Sequence, residues 1–344
     1  AYSKNGRDYI VTYDGLPSST IAWHNGVNII RDGISGRLPS AAELIHSAAL
    51  GDTLVTQTRL NDFASADWTR TIVLVPNAFL AVIDRVQARE AGTFSLTGRW
   101  KTLGEPTFSS NTLTVQQCPK GETPEAGNAT YFHIQASGHA TTHRRLEVRY
   151  GLNAREYPFA SPLPNMLAHA KTSRLEAGGS EYLYMLGHET GGEAVGRFTF
   201  HEVADGVMRV TDGQSSAYVG APNGPVQVGV LSIDADAFYL NAEMLAVAGG
   251  RSATIGGVQV LRAAPPVAVT IDLRTGTVTP AGNGIEVSAA GGEALAALAA
   301  MLNSTEFDRA PTAAAVGSSP AELPVLWQHD AGGALRVAGV AERQ

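Results

Sequence analysis

An all-β sandwich is the fold class this sequence predicts, and three observations carry it. Segments such as "RDYIVTYDG", "DTLVTQTRLNDF", "TRTIVLV", "AFLAVIDRVQAR", "GTFSLTGRW", "RRLEVRYG" and "RFTFHEV" are short, β-branched or aromatic, and bounded by Gly, Pro, Asn or Asp, the composition of strands and their turns. They recur at regular spacing with little helical pattern between them, which favours a sandwich over alternating strands and helices. The 344 residues are 44% hydrophobic and 17% charged, enough for a sizeable core and too apolar for a disordered chain.

Taken in order, the elements divide the chain. In "TRTIVLVPNAFLAVIDRV" two apolar runs flank Pro76 and Asn77. Proline cannot continue a central strand and asparagine tolerates turn geometry, so the stretch predicts a hairpin. "SAAELIHSAA" predicts a short helical turn, and "GGEALAALAAMLN", rich in Ala and Leu after two glycines, predicts an amphipathic helix. A second β segment begins near Gly220, where "GAPNGPVQVGV" interrupts the pattern. It runs through "SATIGGVQVL" and "VAVTIDLRTGTVTP", with a tight turn at Thr275 and Gly276. From Ser304 to Pro324 the composition turns to Ala, Ser, Pro and Gly, as in a linker. "LPVLWQHDAGGALRVAGV" beyond it is strand-like but too short to fold alone. The division expected is therefore a β-sandwich over 1–222, a second, smaller β domain with one short helix over 223–303, and a linker with the start of a further β segment over 304–344.

Charge and composition exclude some functions. A formal net charge of -7 opposes a general nucleic-acid binder, which needs a basic surplus. No apolar run reaches the roughly 18 residues of a membrane span, and no signal-peptide pattern is visible. Cys118, the single cysteine, has no internal disulfide partner and no zinc-ribbon spacing, and reads as a small buried apolar residue. The first residue is Ala, so the N-terminus is expected to be that of a cut precursor or a fragment.

The order "YSKNGRDYIVTYDGLPSS...WHNGVNIIRDG", then "DFASADWTRTIVLVPNAFLAVIDRV", resembles the β-sheet portion of the heparinase II/III-like polysaccharide lyases. That family carries an NG-turn strand, an Asp-Gly or Pro-Gly corner, an HN motif before an apolar strand and Asp-Gly, a Trp-x-Arg strand and a "viD" strand. The resemblance is close over 1–110 and loose over the next hundred or so residues. After about residue 225 it weakens to a likeness with accessory β domains that precede propeller repeats in some long relatives.

The resemblance implies a helical (α/α) toroid followed by a multilayer antiparallel β-sandwich, or super-sandwich, of which this chain would be the second part. It implies β-elimination on a uronic-acid-containing polysaccharide: a base removes the acidic C5 proton, the carboxylate is neutralised, and an acid protonates the leaving oxygen. Partners implied are an acidic polysaccharide and a helical toroid upstream, as domain or separate chain, in a bacterial secreted setting, periplasmic or extracellular. Most catalytic groups of the family belong to the toroid, and its HxH segment precedes the position of Ala1. The expectation is that the isolated chain is catalytically incomplete, and no catalytic residue is assigned within it.

The resemblance also implies a structural zinc, held by an HxH histidine, an aspartate near the next corner and the HN histidine. The last two map onto Asp14 and His24, residue types that suit zinc. In the other reading Asp14 caps a turn while His24 and Asn25 hydrogen-bond backbone. Beside His24, Trp23 and Asn25 are assigned to substrate binding. Trp68 and Arg70, two apart on a strand, share a face. They read as a sugar-stacking platform beside a carboxylate clamp, or as a half-buried tryptophan covered by an arginine stem.

"FHIQASGHATTHRRLEVRY" gathers His133, His139 and His143 with Arg144, Arg145 and Arg149. It reads as an electropositive groove, with Arg144 and Arg145 as substrate ligands, as a metal site on His139 and His143, four apart though Gly138, Thr141 and Thr142 oppose a helix there, or as a solvated strand and loop. "HETGGE" at 188–193 lacks the second histidine of a zinc protease motif, and Gly191 and Gly192 would break its helix. No phosphate loop or G-x-S-x-G elbow is present. Two rivals to the lyase reading stand: a non-catalytic carbohydrate-binding or scaffold module, and a catabolic enzyme of unrelated chemistry that uses the histidine cluster.

Overall fold

A computed structural model of the chain describes residues 2–4, 7–10, 25–36, 41–118, 129–138, 140–145, 165–192, 195–279, 285–286, 292–303, 327–329 and 335–337. Strands β1 (Tyr2–Lys4) and β2 (Arg7–Ile10) form a small hairpin. There follow β3 (Val27–Arg31), β4 (Ile34–Ser35), β5 (Glu43–Leu50), β6 (Thr53–Leu60), β7 (Ala66–Val75), β8 (Phe79–Ala88) and β9 (Gly92–Thr102). Next come β10 (Glu105–Ser109), β11 (Thr112–Gln117), β12 (Thr130–Ala136), β13 (Ala140–Arg145), β14 (Asn165–Leu175) and β15 (Ser180–Gly191). The run β16 (Thr199–Ala204), β17 (Val207–Thr211), β18 (Ser216–Gly220), β19 (Val226–Val228), β20 (Leu231–Asp234), β21 (Ala237–Leu240) and β22 (Met244–Ile255) leads to β23 (Val258–Asp272). Then β24 (Val278–Thr279), β25 (Ile285–Glu286), helix α1 (Gly292–Leu302), β26 (Trp327–His329) and β27 (Leu335–Val337) complete the described elements.

These strands make three large antiparallel sheets. The eight-stranded sheet has the order β10-β11-β12-β15-β8-β7-β6-β5, and the seven-stranded sheet the order β13-β14-β9-β3-β4-β27-β26. The ten-stranded sheet follows β16-β17-β18-β21-β22-β20-β19, with β23 on β22 and both β24 and β25 on β23. This sheet begins at Thr199, so its strands lie on both sides of position 222.

Strand β8 explains the layering. Side chains alternate between the two faces of a strand, and here both faces are buried. Phe79, Ala81 and Ile83 pack with Met208, Tyr239 and Ala246 of the ten-stranded sheet. Leu80 and Val82 pack with Trp100 and Leu167 of the seven-stranded sheet, and Val86 and Ala88 with Ile29, Phe94 and Leu96 of the same sheet. A strand covered on both sides reads as a continuous apolar run, as "FLAVI" does. The eight-stranded sheet is thus the middle layer of a multilayer β-sandwich, which agrees with the predicted fold class.

The hairpin expected at Pro76 and Asn77 joins β7 to β8, with Asn77 at a left-handed φ of 61° and the Ala78 N–H donating to the Val75 carbonyl at 3.1 Å. The turn at Thr275 and Gly276 is also present, closed by the Gly276 N–H on the Asp272 carbonyl at 2.7 Å. Helix α1 buries Ala294, Leu298, Met301 and Leu302, one apolar stripe, in the core of the ten-stranded sheet. The helical turn expected in "SAAELIHSAA" is strand β5 instead. Its partner β6 follows after a two-residue turn led by Gly51, whose φ is +60°, and sheet pairing overrides the helix preference of its alanines.

Candidate functional site

The motif segments named from sequence converge between the middle and seven-stranded sheets. Trp68 and Arg70 of β7 do share a face, and Arg70 sits directly opposite Asp84 of β8. The Arg70 guanidinium donates from Nε to Asp84 Oδ1 at 2.7 Å and from Nη2 to Oδ2 at 2.8 Å. Trp68 Nε1 donates to the same Oδ1 at 2.7 Å. Asp84 is only 2% exposed, so its charge is removed from water and these three donors compensate it.

Arg70 has a second duty. Its Nη1 donates to the backbone carbonyl of Asn25, the asparagine of the HN pair. Asn25 Oδ1 in turn accepts the backbone N–H of Lys101 at 2.7 Å. The guanidinium carbon lies 5.1 Å from the Trp68 ring centre and 4.8 Å from that of Trp100, so the cation sits between two indoles. Asn25 of the HN motif, Trp68 and Arg70 of the Trp-x-Arg strand and Asp84 of the "viD" strand thereby form one network. The fork that suits an external carboxylate is closed on the protein's own.

Trp100 links the network to a buried histidine. Its Nε1 donates to His169 Nε2 at 3.3 Å, and His169 Nδ1 donates to the Ser137 carbonyl at 2.5 Å. This pattern fixes the neutral tautomer with its proton on Nδ1. Burial drives the His169 pKa down to about 4. Gly98 makes the room: a Cβ there would come within 2.2 Å of His169 Nε2.

The histidine-rich stretch is divided between layers. His133 lies in β12 of the middle sheet, and His143 in β13 of the seven-stranded sheet. His133 stacks on His188 of β15, with ring centres 4.8 Å apart. Its nitrogens meet the hydroxyls of Thr114 and Thr190 at 2.9 and 2.8 Å. His188 Nε2 accepts the N–H groups of Arg197 and Phe198 at 2.9 and 3.2 Å. Burial lowers the pKa of His133 to about 4 and, with His133 and Arg197 nearby, that of His188 to about 3. His188 and Glu189 lie in a strand, in line with the exclusion of a helical zinc motif. A cavity of about 180 Å³ adjoins them, lined by Lys4, Asn77, Phe79, His188 and Glu189 among others.

Arg144 and Arg145 are placed by their backbones in β13, in register with Met166 and Asn165 of β14. Trp23, His24, Asp14, His139 and Arg149 lie outside the described residues. Among the described residues no group of three or more His, Cys, Asp or Glu could hold a metal ion, and no helix is long and apolar enough to cross a membrane. Cys118, expected to be buried, is half-buried. Asp84, Trp100, Lys101 and His169 were not singled out from sequence. Asp84 did carry a signal, as the acid of the quoted "viD" motif that closes the apolar run Phe79–Ile83.

No family model matches the sequence, and no curated protein matches it. Solved structures give distant likenesses. A mutant of the heparan sulfate lyase HepC from Pedobacter heparinus is 14% identical, with a TM-score of 0.39 over 62% of this chain and 33% of that one. A heparinase III gene product with methylated lysines is 10% identical, with a TM-score of 0.39 over 78% of this chain and 34% of that one. A further heparinase III is 12% identical, with a TM-score of 0.38 over 58% of this chain and 28% of that one. The chain spans about a third of the length of these proteins. Likeness at this level leaves the chemistry of the chain to be argued from its own residues.

Proposed function

We propose that this chain is the β-sandwich part of a polysaccharide lyase that acts by β-elimination on uronic-acid-containing polysaccharide, and that it forms a wall of the substrate cleft. The observation that supports this reading is the meeting of Asn25, Trp68, Arg70 and Asp84 in one hydrogen-bonded network. Those residues come from the separate segments on which the family resemblance rests. Arg70 is then a positioning residue: held by Asp84, it fixes the carbonyl of Asn25, while Lys101 fixes the Asn25 side chain. Trp23, Trp68, Arg144 and Arg145 are the proposed sugar-facing residues. A structural zinc on Asp14 and His24, with a third ligand from an upstream histidine, belongs to the same proposal, as does a periplasmic or extracellular setting.

The chain is assayed alone and joined to the polypeptide encoded upstream, with uronic-acid polymers, by the absorbance of the unsaturated product. Turnover is expected only from the joined form. Turnover by the isolated chain would contradict its catalytic incompleteness, and none by either form would remove the lyase reading. Zinc content, measured in the joined form, should fall on Asp14→Ala or His24→Ala; an unchanged content would exclude those ligands. The closure of Arg70 on Asp84 favours a second reading, a non-catalytic carbohydrate-binding or scaffold module. That module would retain acidic polymers on affinity electrophoresis without ever cleaving them.

A further inference from the structure

Lys101 is fully buried, and its ammonium nitrogen has no hydrogen-bond partner among the described residues. Buried charges are ordinarily paired, because an unpaired one loses its hydration with nothing in return. The charged side chain acting on this amine is another cation, Arg99, and together with burial it pushes the Lys101 pKa down to about 7. Arg99 and Lys101 are two apart on β9 and therefore share the face opposite Trp100, away from the middle sheet. The backbone of Lys101 is tied to Asn25, so this pair of cations adjoins the network described above. Met166 is the register partner of Lys101 on one side and of Arg144 on the other, which spaces Lys101 and Arg144 roughly 10 Å apart across the strands.

We infer that Arg99 and Lys101 form a receptor for one oxyanion, the carboxylate or sulfate of an acidic saccharide, on the outer face of the seven-stranded sheet. An oxyanion there would supply the acceptor that the Lys101 ammonium lacks among the described residues. The saccharide as its source rests on the lyase reading; the anion site does not.

The test uses the full chain, with thermal shift and calorimetric titration against inorganic sulfate, D-glucuronate, neutral glucose and a heparan sulfate oligosaccharide. Sulfate and glucuronate should raise the melting temperature of the wild type while glucose does not. Lys101→Met should weaken the anions by about tenfold or more, the usual loss for a charge-assisted contact. Arg99→Gln should weaken them by a smaller factor, and Arg274→Gln, at an exposed site in the turn after β23, should leave binding unchanged. Equal binding of sulfate and glucuronate by wild type and Lys101→Met, or none by either, overturns the anion site. If the small anions bind through Lys101 but the oligosaccharide does not, the site stands and the polysaccharide source falls. If the oligosaccharide binds equally to wild type and Lys101→Met while the small anions do not bind, the polysaccharide reading survives and the site is overturned.

Discussion

Arg70 and Asp84 face each other across the β7–β8 hairpin in a two-pronged pair, 2.7 and 2.8 Å, with the carboxylate buried and the guanidinium mostly so. Breaking such a pair from one side leaves an uncompensated charge. Asp84→Ala should destabilise the chain by about 3–5 kcal/mol, read by chemical denaturation. The double variant Arg70→Met with Asp84→Leu should recover most of that loss. A double variant as unstable as Asp84→Ala alone would mean that the pair is not the source of the effect.

Gly98→Ala should destabilise by about 1–3 kcal/mol, because the added methyl enters the buried ring of His169. Combining it with His169→Ala opens space for that methyl. The combined loss should therefore be smaller than the sum of the two single losses, which a double-mutant cycle measures.

His133, His169 and His188 are held neutral by burial, their pKa values lowered to about 4, 4 and 3. The unfolded chain takes up protons near 6.5, so between there and about 4 it binds more protons than the folded one. Stability should be unaffected by these groups above pH 7 and fall as pH drops through that window, on the order of 3 kcal/mol per histidine. Melting temperatures from pH 7 to 4 test this. His169→Gln should flatten part of the slope, and an unchanged slope would contradict the assignment.

Lys101→Met removes a buried amine that has no partner among the described residues, and should stabilise the chain at neutral pH by about 1–3 kcal/mol. The folded pKa near 7 lies below the unfolded value, so the unfolded chain binds more protons between there and about 10.5. Wild-type stability therefore rises with pH across that range, and the advantage of Lys101→Met should close as it does. Denaturant titrations at pH 7 and 9.5 would show it, and a constant gap would rule it out.

The middle layer was legible in the sequence because a strand buried on both faces cannot conceal its apolar run, and the turn at Pro76 and Asn77 set its register. With three residues between Val75 and Phe79, counting outward puts Arg70 opposite Asp84, a pairing available in principle from the turn alone. Helix α1 was legible for the same reason, as one stripe on one period. Strand β5 was not, since alanine and leucine serve either element and its partner strand decides. His133 and His143, ten residues apart, gave no sign that the chain crosses from one sheet to another between them. The burial of Lys101 was equally hidden, because alternation assigns it to the face opposite Trp100 without saying what covers that face.

Because β16, β17 and β18 pair in one sheet with β21 and β22, a backbone cut after residue 222 would sever a hydrogen-bonded sheet rather than a tether. The fragments 1–222 and 223–344 should each be poorly soluble alone. Mixed from denaturant, they should reassemble into one particle, in the manner of a split protein, with β18 finding β21 as the seam.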